Sequence, residues 1–288
     1  MPFKQYAVIF PCEINSFNTV DSFFHEEWND AANFFQIIFF DFDEFVENNI
    51  LRLNKRFEDD TTCIYRGWMM KPGQYENFYN RLKERKINLV TKPESYSLMH
   101  LFPNVYPYIK DDTPGILVYP DNTKIELDEI KKRFQRFMVK DFVKSEKGTE
   151  FPPFFSADIS EKDFNHWLEV FREYRGKLFT GGICIKEYID LKKYNGSTNE
   201  WRAFYIGNTV VSLNPNSGQD SECPPPPEAL VEKYKDLPSP FYTIDYGETA
   251  GGSWSILETG DGSVSGLCKS QSVPDFFESM KTALENNF

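Results

Sequence analysis

The sequence lacks the cysteine spacing of a zinc or redox protein. Its five cysteines are scattered, and no two of them form a CxxC pair. An odd, scattered set of cysteines suits a reducing compartment. No stretch approaches the roughly 20 apolar residues of a membrane helix, and the apolar run near the N-terminus is too short for a signal peptide. These absences predict a cytoplasmic protein that does not bind a membrane.

Basic residues are also fewer than acidic residues. The chain has 32 basic and 44 acidic residues, so its formal net charge is −12. A protein that coats nucleic acid needs a basic face, and this balance argues against that class, although it leaves room for a local pocket that binds phosphates. The sequence has no GxxxxGKS or GxxxxGKT P-loop, and no helix follows the glycines near Gly247 as a dinucleotide fingerprint would require.

What the sequence does have is a large apolar and aromatic fraction. Its 288 residues are 40% hydrophobic and 17% aromatic, which is enough for a globular chain with one large core or two lobes. In the first part, short apolar runs predict strands that alternate with amphipathic helices, and this alternation predicts a parallel α/β lobe. The strands are predicted at 6–10, 37–42, 63–69 and 87–90, and the helices at 21–33, 75–85 and 95–101.

The second part predicts a different arrangement, with strands and helices mixed and the sheet mainly antiparallel (α+β). A hairpin turns at Gly207 and Asn208, 144–156 is predicted as a mobile loop, and the prolines of 223–227 as an exposed segment. The segment 111–115 marks the boundary, so we predict lobes at 1–110 and 111–288 with a cleft between them. Strands are expected at 137–143, 182–189, 200–206, 209–213, 241–246 and 253–258, and helices at 127–136, 161–174, 228–235 and 276–286.

Charged residues recur at strand positions of this second part. Glu200 and Arg202 are two residues apart and therefore share a strand face. Asp245 and Glu258 end two adjacent predicted strands, and Asp261 follows in a glycine turn. Hard cations such as Mg²⁺ bind a few carboxylate oxygens and leave the rest of their shell to water and phosphate. Taken alone, the hairpin is also consistent with ordinary acidic turn residues.

Lysines precede this acidic hairpin in the chain. Lys140 lies inside an apolar strand, and Lys144 and Lys147 follow in the predicted loop. A nucleoside triphosphate needs such a mixture, because lysine and arginine neutralise phosphate oxygens while carboxylates hold the bridging Mg²⁺. By itself, Lys140 is also consistent with a strand-edge residue whose ammonium reaches solvent.

The joint order of these motifs resembles the C-terminal half of ATP-grasp enzymes. It is more similar still to the small RimK-related clade of bacterial and phage genomes, through VKDFVKS, GGICIKEYIDL, NEWRAFYIGN and WSILETGDGSVSGL. The resemblance extends back to about Cys63 through YRGWMM and NLVTKPESYSLMHLFPNVYP. It implies an ATP-grasp fold, ATP and Mg²⁺ as cofactors, and a carboxylate–amine ligase with an acyl-phosphate intermediate. The substrates would be a small amine or amino acid and a carboxylate, which could belong to a peptide or protein.

The resemblance also implies roles for individual residues. Lys140 would contact the α- and β-phosphates, and Arg202 the γ-phosphate and the acyl phosphate. Asp245 and Glu258 would hold Mg²⁺. The Glu-x-Asn pattern of most ATP-grasp enzymes is absent here, and Asp261 would either replace its Asn as a third Mg²⁺ ligand or be only a turn residue. The other nucleotide contacts would be Lys144, Lys186, Glu187, Tyr188, Ile189 and Glu200. Lys110 and Lys124 are both candidates for the family's first ATP-contacting lysine.

Three residues of the first lobe are candidates for substrate contacts. Arg66 and Trp68 end or follow a predicted strand, where open α/β lobes place ligand contacts. Arg66 could bind a carboxylate through two hydrogen bonds, and His100 could face the cleft. The alternatives are that Arg66 pairs with a nearby acid, that Trp68 packs within the lobe, and that His100 is a buried, hydrogen-bonded residue.

Two other functions remain open at this point. The EYIDL and EWRAF motifs are also similar to the eukaryotic cell-division-cycle chaperone family that assembles translation initiation factor two. Such a protein would bind ATP, Mg²⁺ and a protein partner without ligating anything. Its matching residues include Lys140, Arg202, Asp245 and Glu258, so the nucleotide site does not separate the two functions. A kinase-like phosphotransferase on the same fold is a third candidate.

Overall fold

The computed structural model describes residues 6–14, 16–216, 218–219 and 223–288. Among these, no helix combines the length and the apolar character that crossing a bilayer requires. The strands are β1 (Tyr6–Glu13), β2 (Ser16–Val20), β3 (Gln36–Phe40), β4 (Thr61–Tyr65), β5 (Ile87–Leu89), β6 (Ile116–Pro120), β7 (Arg136–Asp141), β8 (Phe155–Ser156), β9 (Gly182–Glu187), β10 (Lys193–Tyr194), β11 (Ser197–Thr198), β12 (Glu200–Ile206), β13 (Thr209–Pro215), β14 (Phe241–Glu248) and β15 (Trp254–Asp261). The helices are α1 (His25–Ala31), α2 (Phe42–Asn48), α3 (Pro72–Lys83), α4 (Pro93–His100), α5 (Phe102–Ile109), α6 (Leu127–Arg133), α7 (Glu161–Arg175), α8 (Glu228–Lys233) and α9 (Val273–Asn287).

The N-terminal sheet is mainly parallel, as its alternating strands and helices predict. β1 pairs in parallel with β3 and β4, and β4 with β5, while β2 is an antiparallel edge strand. Successive residues of β1 point to opposite faces of the sheet. Ala7 and Ile9 pack on the side of α3, whereas Val8 and Phe10 pack on the side of α1 and α9. Burial on both faces explains why β1 is a continuous apolar run.

Two antiparallel sheets form the second part of the chain. One has the strand order β6-β9-β7-β8, and residues of α6 and α7 share its core cluster. The other has the order β13-β12-β14-β15, with α9 on one face and α5 and α8 on the other. The expected mixed α/β fold class is thus confirmed. The division into lobes at 1–110 and 111–288 stays a prediction, and α9 packs against the N-terminal sheet through Phe277.

Several elements differ from the sequence prediction for local reasons. α5 and β6 were not predicted. Pro103 stands in the first turn of α5, where a proline is well tolerated, and Pro107 lies inside the helix. The strand predicted at 63–69 ends at Tyr65. The segment 223–227 is not uniformly exposed: Cys223 is buried, and the side-chain amide of Asn199 donates to the carbonyl of Pro224.

A buried arginine joins the end of β4 to the end of β15. Arg66 is 1% exposed, and its guanidinium donates to both carboxylate oxygens of Glu27 at 2.8 Å. It also donates to the carbonyls of Gly262 and Ser265, just beyond β15. These bonds satisfy a buried charge that would otherwise be costly. Arg66 therefore links α1, β4 and the chain after β15.

This arrangement predicts the effect of removing the guanidinium. Arg66→Met leaves the Glu27 carboxylate buried without its partner and removes donors from two carbonyls, so it should lower the free energy of unfolding by about 3–5 kcal/mol. The matched control is Arg52→Met, because Arg52 is exposed and its partner Glu44 is only partly buried. That variant should change the free energy of unfolding by no more than about 1 kcal/mol. Urea unfolding of both proteins tests the comparison, and equal losses would contradict the assignment.

Candidate active site

A cavity of about 430 Å³ lies between the two antiparallel sheets. β7 and β9 supply one wall, β12, β14 and β15 supply the other, and the segment after β7 lies at its edge. Most of the residues that the sequence predicts for a nucleotide site come together here. They are Lys140, Lys144, Lys186, Glu187, Tyr188, Ile189, Glu200, Arg202, Asp245 and Glu258.

Asp245 and Glu258 face one another across neighbouring strands. They are direct cross-strand partners, and Asp245 is also opposite Arg202 of β12. Cross-strand partners project from the same sheet face, so the three side chains form one row. β14 continues to Glu248 and β15 to Asp261, which places the two carboxylates within the sheet and not at its end.

Arg202 holds Asp245 in a bidentate ion pair. Its Nε and Nη2 each lie 2.7 Å from a carboxylate oxygen of Asp245, and Nη1 donates to the carbonyl of Gly266 at 2.9 Å. The side-chain amide of Asn216 donates to Asp245 Oδ2 at 3.1 Å. This geometry fixes the orientation of the carboxylate and keeps the arginine inside the cavity.

Lysines from the opposite wall compensate Glu258. Lys140 Nζ lies 3.3 Å from Glu258 Oε1, and Lys140 is 3% exposed. Burial alone would raise the pKa of the Glu258 carboxyl, but the positive charges of Lys140, Lys144, Lys147 and Lys186 outweigh it and hold the pKa well below its usual range. Glu258 is therefore ionised at neutral pH.

The lysines share one aromatic ring. The ammonium groups of Lys140 and Lys186 lie 4.9 and 4.3 Å from the centre of the Phe102 ring. Burial, followed by repulsion from Lys140, lowers the pKa of Lys186 to about 7, although Glu258 opposes the shift. Burial likewise lowers the pKa of Lys144, with Glu258 opposing and Lys140 adding to it. The three lysines together hold more positive charge than Glu258, their main carboxylate neighbour, can compensate.

The chain after β9 forms the side wall of the cavity. The backbone N–H of Tyr188 donates to the carbonyl of Arg136 at 3.0 Å. The ring of Tyr188 packs against that of Phe154, with 4.3 Å between the ring centres, and the guanidinium of Arg136 lies 4.9 Å from the centre of the Tyr188 ring. Glu187 Oε2 accepts from the N–H of Gly115. β9 ends at Glu187, so Tyr188 and Ile189 follow the strand and do not belong to it as predicted.

Glu200 stands at the first position of β12, two residues before Arg202. Its Oε1 accepts a hydrogen bond from the hydroxyl of Thr198, and the side chain lines the same cavity as Arg202. The two residues therefore share a strand face, as their spacing predicts.

Asp261 does not join the other two carboxylates. It lies three residues after Glu258 on β15, and an odd separation puts it on the opposite face of the sheet. It is fully buried, and its Oδ1 accepts from the N–H of Ser263. Burial raises the pKa of Asp261 to about 7, against the opposing effects of Ser263 and Arg66. The structure thus separates Asp261 from the metal site predicted for it.

The predicted substrate residues occupy three different environments. Arg66 donates its hydrogen bonds to Glu27 and to two backbone carbonyls, and it does not line the nucleotide cavity. Of the two roles considered for Arg66, the structure therefore shows the pairing with a nearby acid. Trp68 donates to Asp21 at 2.8 Å and packs on Phe23, outside the nucleotide cavity. His100 does line a small cavity of about 60 Å³, shared with Lys144, Arg202, Asp245 and Glu258.

His100 is available to a ligand at that position. The side chain is 7% exposed, stacks on the ring of Tyr96 at 4.8 Å, and makes no hydrogen bond with the described part of the chain. Burial, with a contribution from Lys144, lowers the pKa of His100 to about 4. His100 is therefore neutral near pH 7. Lys110 and Lys124 do not line the nucleotide cavity.

Asn216 and Phe102 contact charged groups of the site and were not found from the sequence. Asn216 follows β13 and reaches Asp245, although nothing in its local pattern indicates this. Phe102 begins α5, and the proline at its second position is a signal for a helix start that could have placed it. Its contact with two lysines arises only in the folded chain.

Comparisons with known proteins agree with this geometry. The model of the ATP-grasp domain of R-two-K clade family 3 matches residues 127–280, which is more than half of the chain. The search of curated proteins found no match.

Among solved structures, D-cycloserine synthetase DcsG is similar with a TM-score of 0.61 and 13% identity over 96% of this chain and 99% of that one. D-alanine–D-alanine ligase from Bacillus anthracis has a TM-score of 0.60 and 12% identity over 98% and 97%. ATP-grasp ligase PsnB with its minimal precursor has a TM-score of 0.58 and 10% identity over 96% and 99%. At such identities the likeness concerns the fold.

The family match confirms the expected ATP-grasp fold and, with it, ATP and Mg²⁺ as the cofactors. The cavity with its lysines, paired carboxylates and arginine lies almost wholly inside the matched range. The chain belongs to the ATP-grasp proteins of R-two-K clade family 3.

Proposed function

We propose that this protein is an ATP- and Mg²⁺-dependent carboxylate–amine ligase. It would join a small amine or amino acid to a carboxylate, which an amino acid, a peptide or a protein could carry. The observation that carries the proposal is the pair Asp245 and Glu258, placed in one cavity with Lys140, Lys186 and Arg202. The names of similar structures support it, since those proteins are a synthetase and ligases.

The residues of the cavity fit a magnesium nucleotide. Mg²⁺ prefers carboxylate oxygens and keeps other positions for water and phosphate, and Asp245 and Glu258 would hold it. When bound, it neutralises charge on the phosphoryl group that is transferred. The lysine cluster is under-compensated by carboxylates, so phosphate oxygens would relieve the repulsion that helps to lower the pKa of Lys186.

The reaction would proceed in two displacements. A carboxylate oxygen of the substrate attacks the γ-phosphorus of ATP, which gives an acyl phosphate and releases ADP. The amine nitrogen then attacks the acyl carbon, phosphate leaves, and the nitrogen loses a proton. Lys140 would orient the α- and β-phosphates, and Arg202 would stabilise the charge that develops on the transferred group.

The remaining side chains of the site would contact the phosphates, the ribose and the adenine of ATP, and the acceptor substrate. Lys144 would add a second cation beside the phosphates, and the wall of Glu187, Tyr188 and Ile189 would receive the adenine. Glu200 would accept from the ribose. His100, which is neutral and makes no hydrogen bond within the described residues, would contact the acceptor substrate. Arg66, Trp68 and Asp261 have no ligand role in this proposal.

The first test is release of ADP from ATP and Mg²⁺ in the presence of a pool of amino acids and short peptides. Wild-type protein should release ADP only when the pool is present, and Asp245→Asn and Glu258→Gln should lose this activity because each removes a charged metal ligand. Asp261→Asn is the matched control and should keep it. Mass spectrometry of the wild-type mixture then identifies the product.

The other outcomes are equally informative. Tight ATP binding with no turnover in any pool would favour the assembly-factor function. A phosphorylated product without an amide would indicate a phosphotransferase. Equal loss of activity in Asp261→Asn and Glu258→Gln would contradict the choice of metal ligands.

A second prediction concerns Lys140. Lys140→Ala should weaken ATP binding by about 1.5–3 kcal/mol, which is the range for a hydrogen bond to a charged group. Lys132→Ala, at an exposed position of helix α6, is the control and should bind ATP as wild type does. Isothermal titration calorimetry measures both. Wild-type affinity in Lys140→Ala would show that this lysine does not contact the nucleotide.

A third prediction follows from the pKa of Lys186. Because this pKa is about 7 in the free protein and bound phosphate would raise it, ATP binding should draw in a proton above pH 7. The affinity for ATP should be constant below about pH 7. It should fall as the pH rises from there toward the higher pKa that Lys186 has in the ATP complex. Calorimetry at pH 8 in buffers of different ionisation enthalpy should give uptake of about one proton in wild type. Lys186→Arg stays charged and should show none; uptake that persists in this variant would assign the proton to another group.

A further inference from the structure

A second cavity, of about 640 Å³, lies on the N-terminal sheet and contains none of the residues of the nucleotide site. Its apolar part is formed by Phe17 of β2 and by Leu51, Leu53 and Phe57 of the segment between α2 and β4. The end of α3 closes the remaining side. A volume of this size accommodates a few residues of a peptide.

The rim of this cavity is basic, in contrast to the acidic chain. It carries Arg52, Lys55, Arg56, Arg85 and Lys86 against a single acid, Glu84. Arg52 is paired with Glu44. Within the described part of the chain, the other four cations form no ion pair with a carboxylate within 4 Å. By contrast, four arginines of the second part are each paired with an aspartate; they are Arg136, Arg172, Arg175 and Arg202.

Hydrogen bonds hold two of these cations, Arg85 and Lys86, in place. Arg85 Nη1 donates to the carbonyl of Leu51 at 2.8 Å, and the ammonium of Lys86 donates to the carbonyl of Glu58. These bonds fix the segment after α2 against the end of α3, and they leave most donors of the guanidinium free for a ligand. Partial burial and the nearby charges of Arg81 and Arg56 lower the pKa of Arg85, although Glu84 opposes the shift. The cations are therefore crowded before any ligand binds.

We propose that this cavity binds an acidic peptide segment, with carboxylates at the basic rim and one apolar side chain against Leu51, Leu53 and Phe57. The apolar floor favours a peptide over free phosphate, which has nothing to bury there. Nucleic acid requires an extended basic surface, whereas the net charge of this chain is −12 and the five cations of the rim line a single cavity. These two observations disfavour nucleic acid. The site is independent of the proposed ligase activity.

The test is fluorescence anisotropy with a fluorescein-labelled peptide in which one leucine is flanked by two glutamates on each side. The double variant Lys55→Glu with Arg56→Glu should raise the Kd at least about tenfold at 0.1 M salt, since both exposed cations would become repulsive. The matched control, Lys162→Glu with Lys177→Glu, makes the same charge change at exposed positions of α7 and just after it, and should shift the Kd by less than about threefold. Replacing the leucine of the probe by serine should weaken binding to wild type.

ATP affinity serves as the check of folding, and it should be the same in wild type and both double variants. Equal loss of peptide binding in the two double variants would reduce the effect to net charge and overturn the proposal. So would a peptide that binds equally with serine and is displaced by inorganic phosphate, which would indicate an anion site only. Binding of a single-stranded oligonucleotide in preference to the peptide would also overturn it.

Discussion

Buried charge is the constraint on which the active-site architecture depends. Lys140 and Lys186 project from one sheet, Asp245 and Glu258 from the other, and Arg202 lies beside Asp245. Neither set could be buried alone without a large desolvation cost. The ion pair of Lys140 with Glu258 crosses the gap between the sheets. It therefore holds the walls in register and, at the same time, leaves a surplus of positive charge where phosphates would bind.

The same requirement joins the N-terminal sheet to the rest of the chain. Arg66 is satisfied only by groups from two distant regions, Glu27 on α1 and the carbonyls after β15. α9, the last helix, also packs against β1. Polar contacts such as those of Arg66, together with the apolar packing of α9, thus hold the N-terminal sheet to the part of the chain that carries Asp245 and Glu258. Its position relative to the cleft is therefore fixed by the fold.

Two sources predicted most of the candidate site. The resemblance to ATP-grasp enzymes supplied nucleotide contacts such as the segment 186–189, and strand periodicity puts residues two apart on one face. This rule places Glu200 with Arg202, and the two-strand hairpin places Asp245 opposite Glu258. The same rule would have placed Asp261 on the opposite sheet face from Glu258, because the two residues are an odd number of positions apart. The prediction instead placed Asp261 in a glycine turn beyond the strand, where this rule does not apply. Arg66 could not be assigned, since its partners lie far away in the sequence. α5, which contains two prolines, was not predicted, although one of them stands in the first turn of the helix, where proline is well tolerated.

The ring of Phe102 connects the nucleotide cavity to the interior of the protein. Its face lies against two ammonium groups, while its backbone N–H donates to the carbonyl of Phe142, two residues before Lys144. The rest of α5 is anchored in the core by Val105 and Ile109. Phe102 therefore links the backbone just before Lys144 to an uncharged ring that both Lys140 and Lys186 contact. An aliphatic residue at position 102 would preserve most of the packing volume but would remove the aromatic quadrupole that attracts the two ammonium groups. At this position the shape of the site and its electrostatic field can therefore be changed separately.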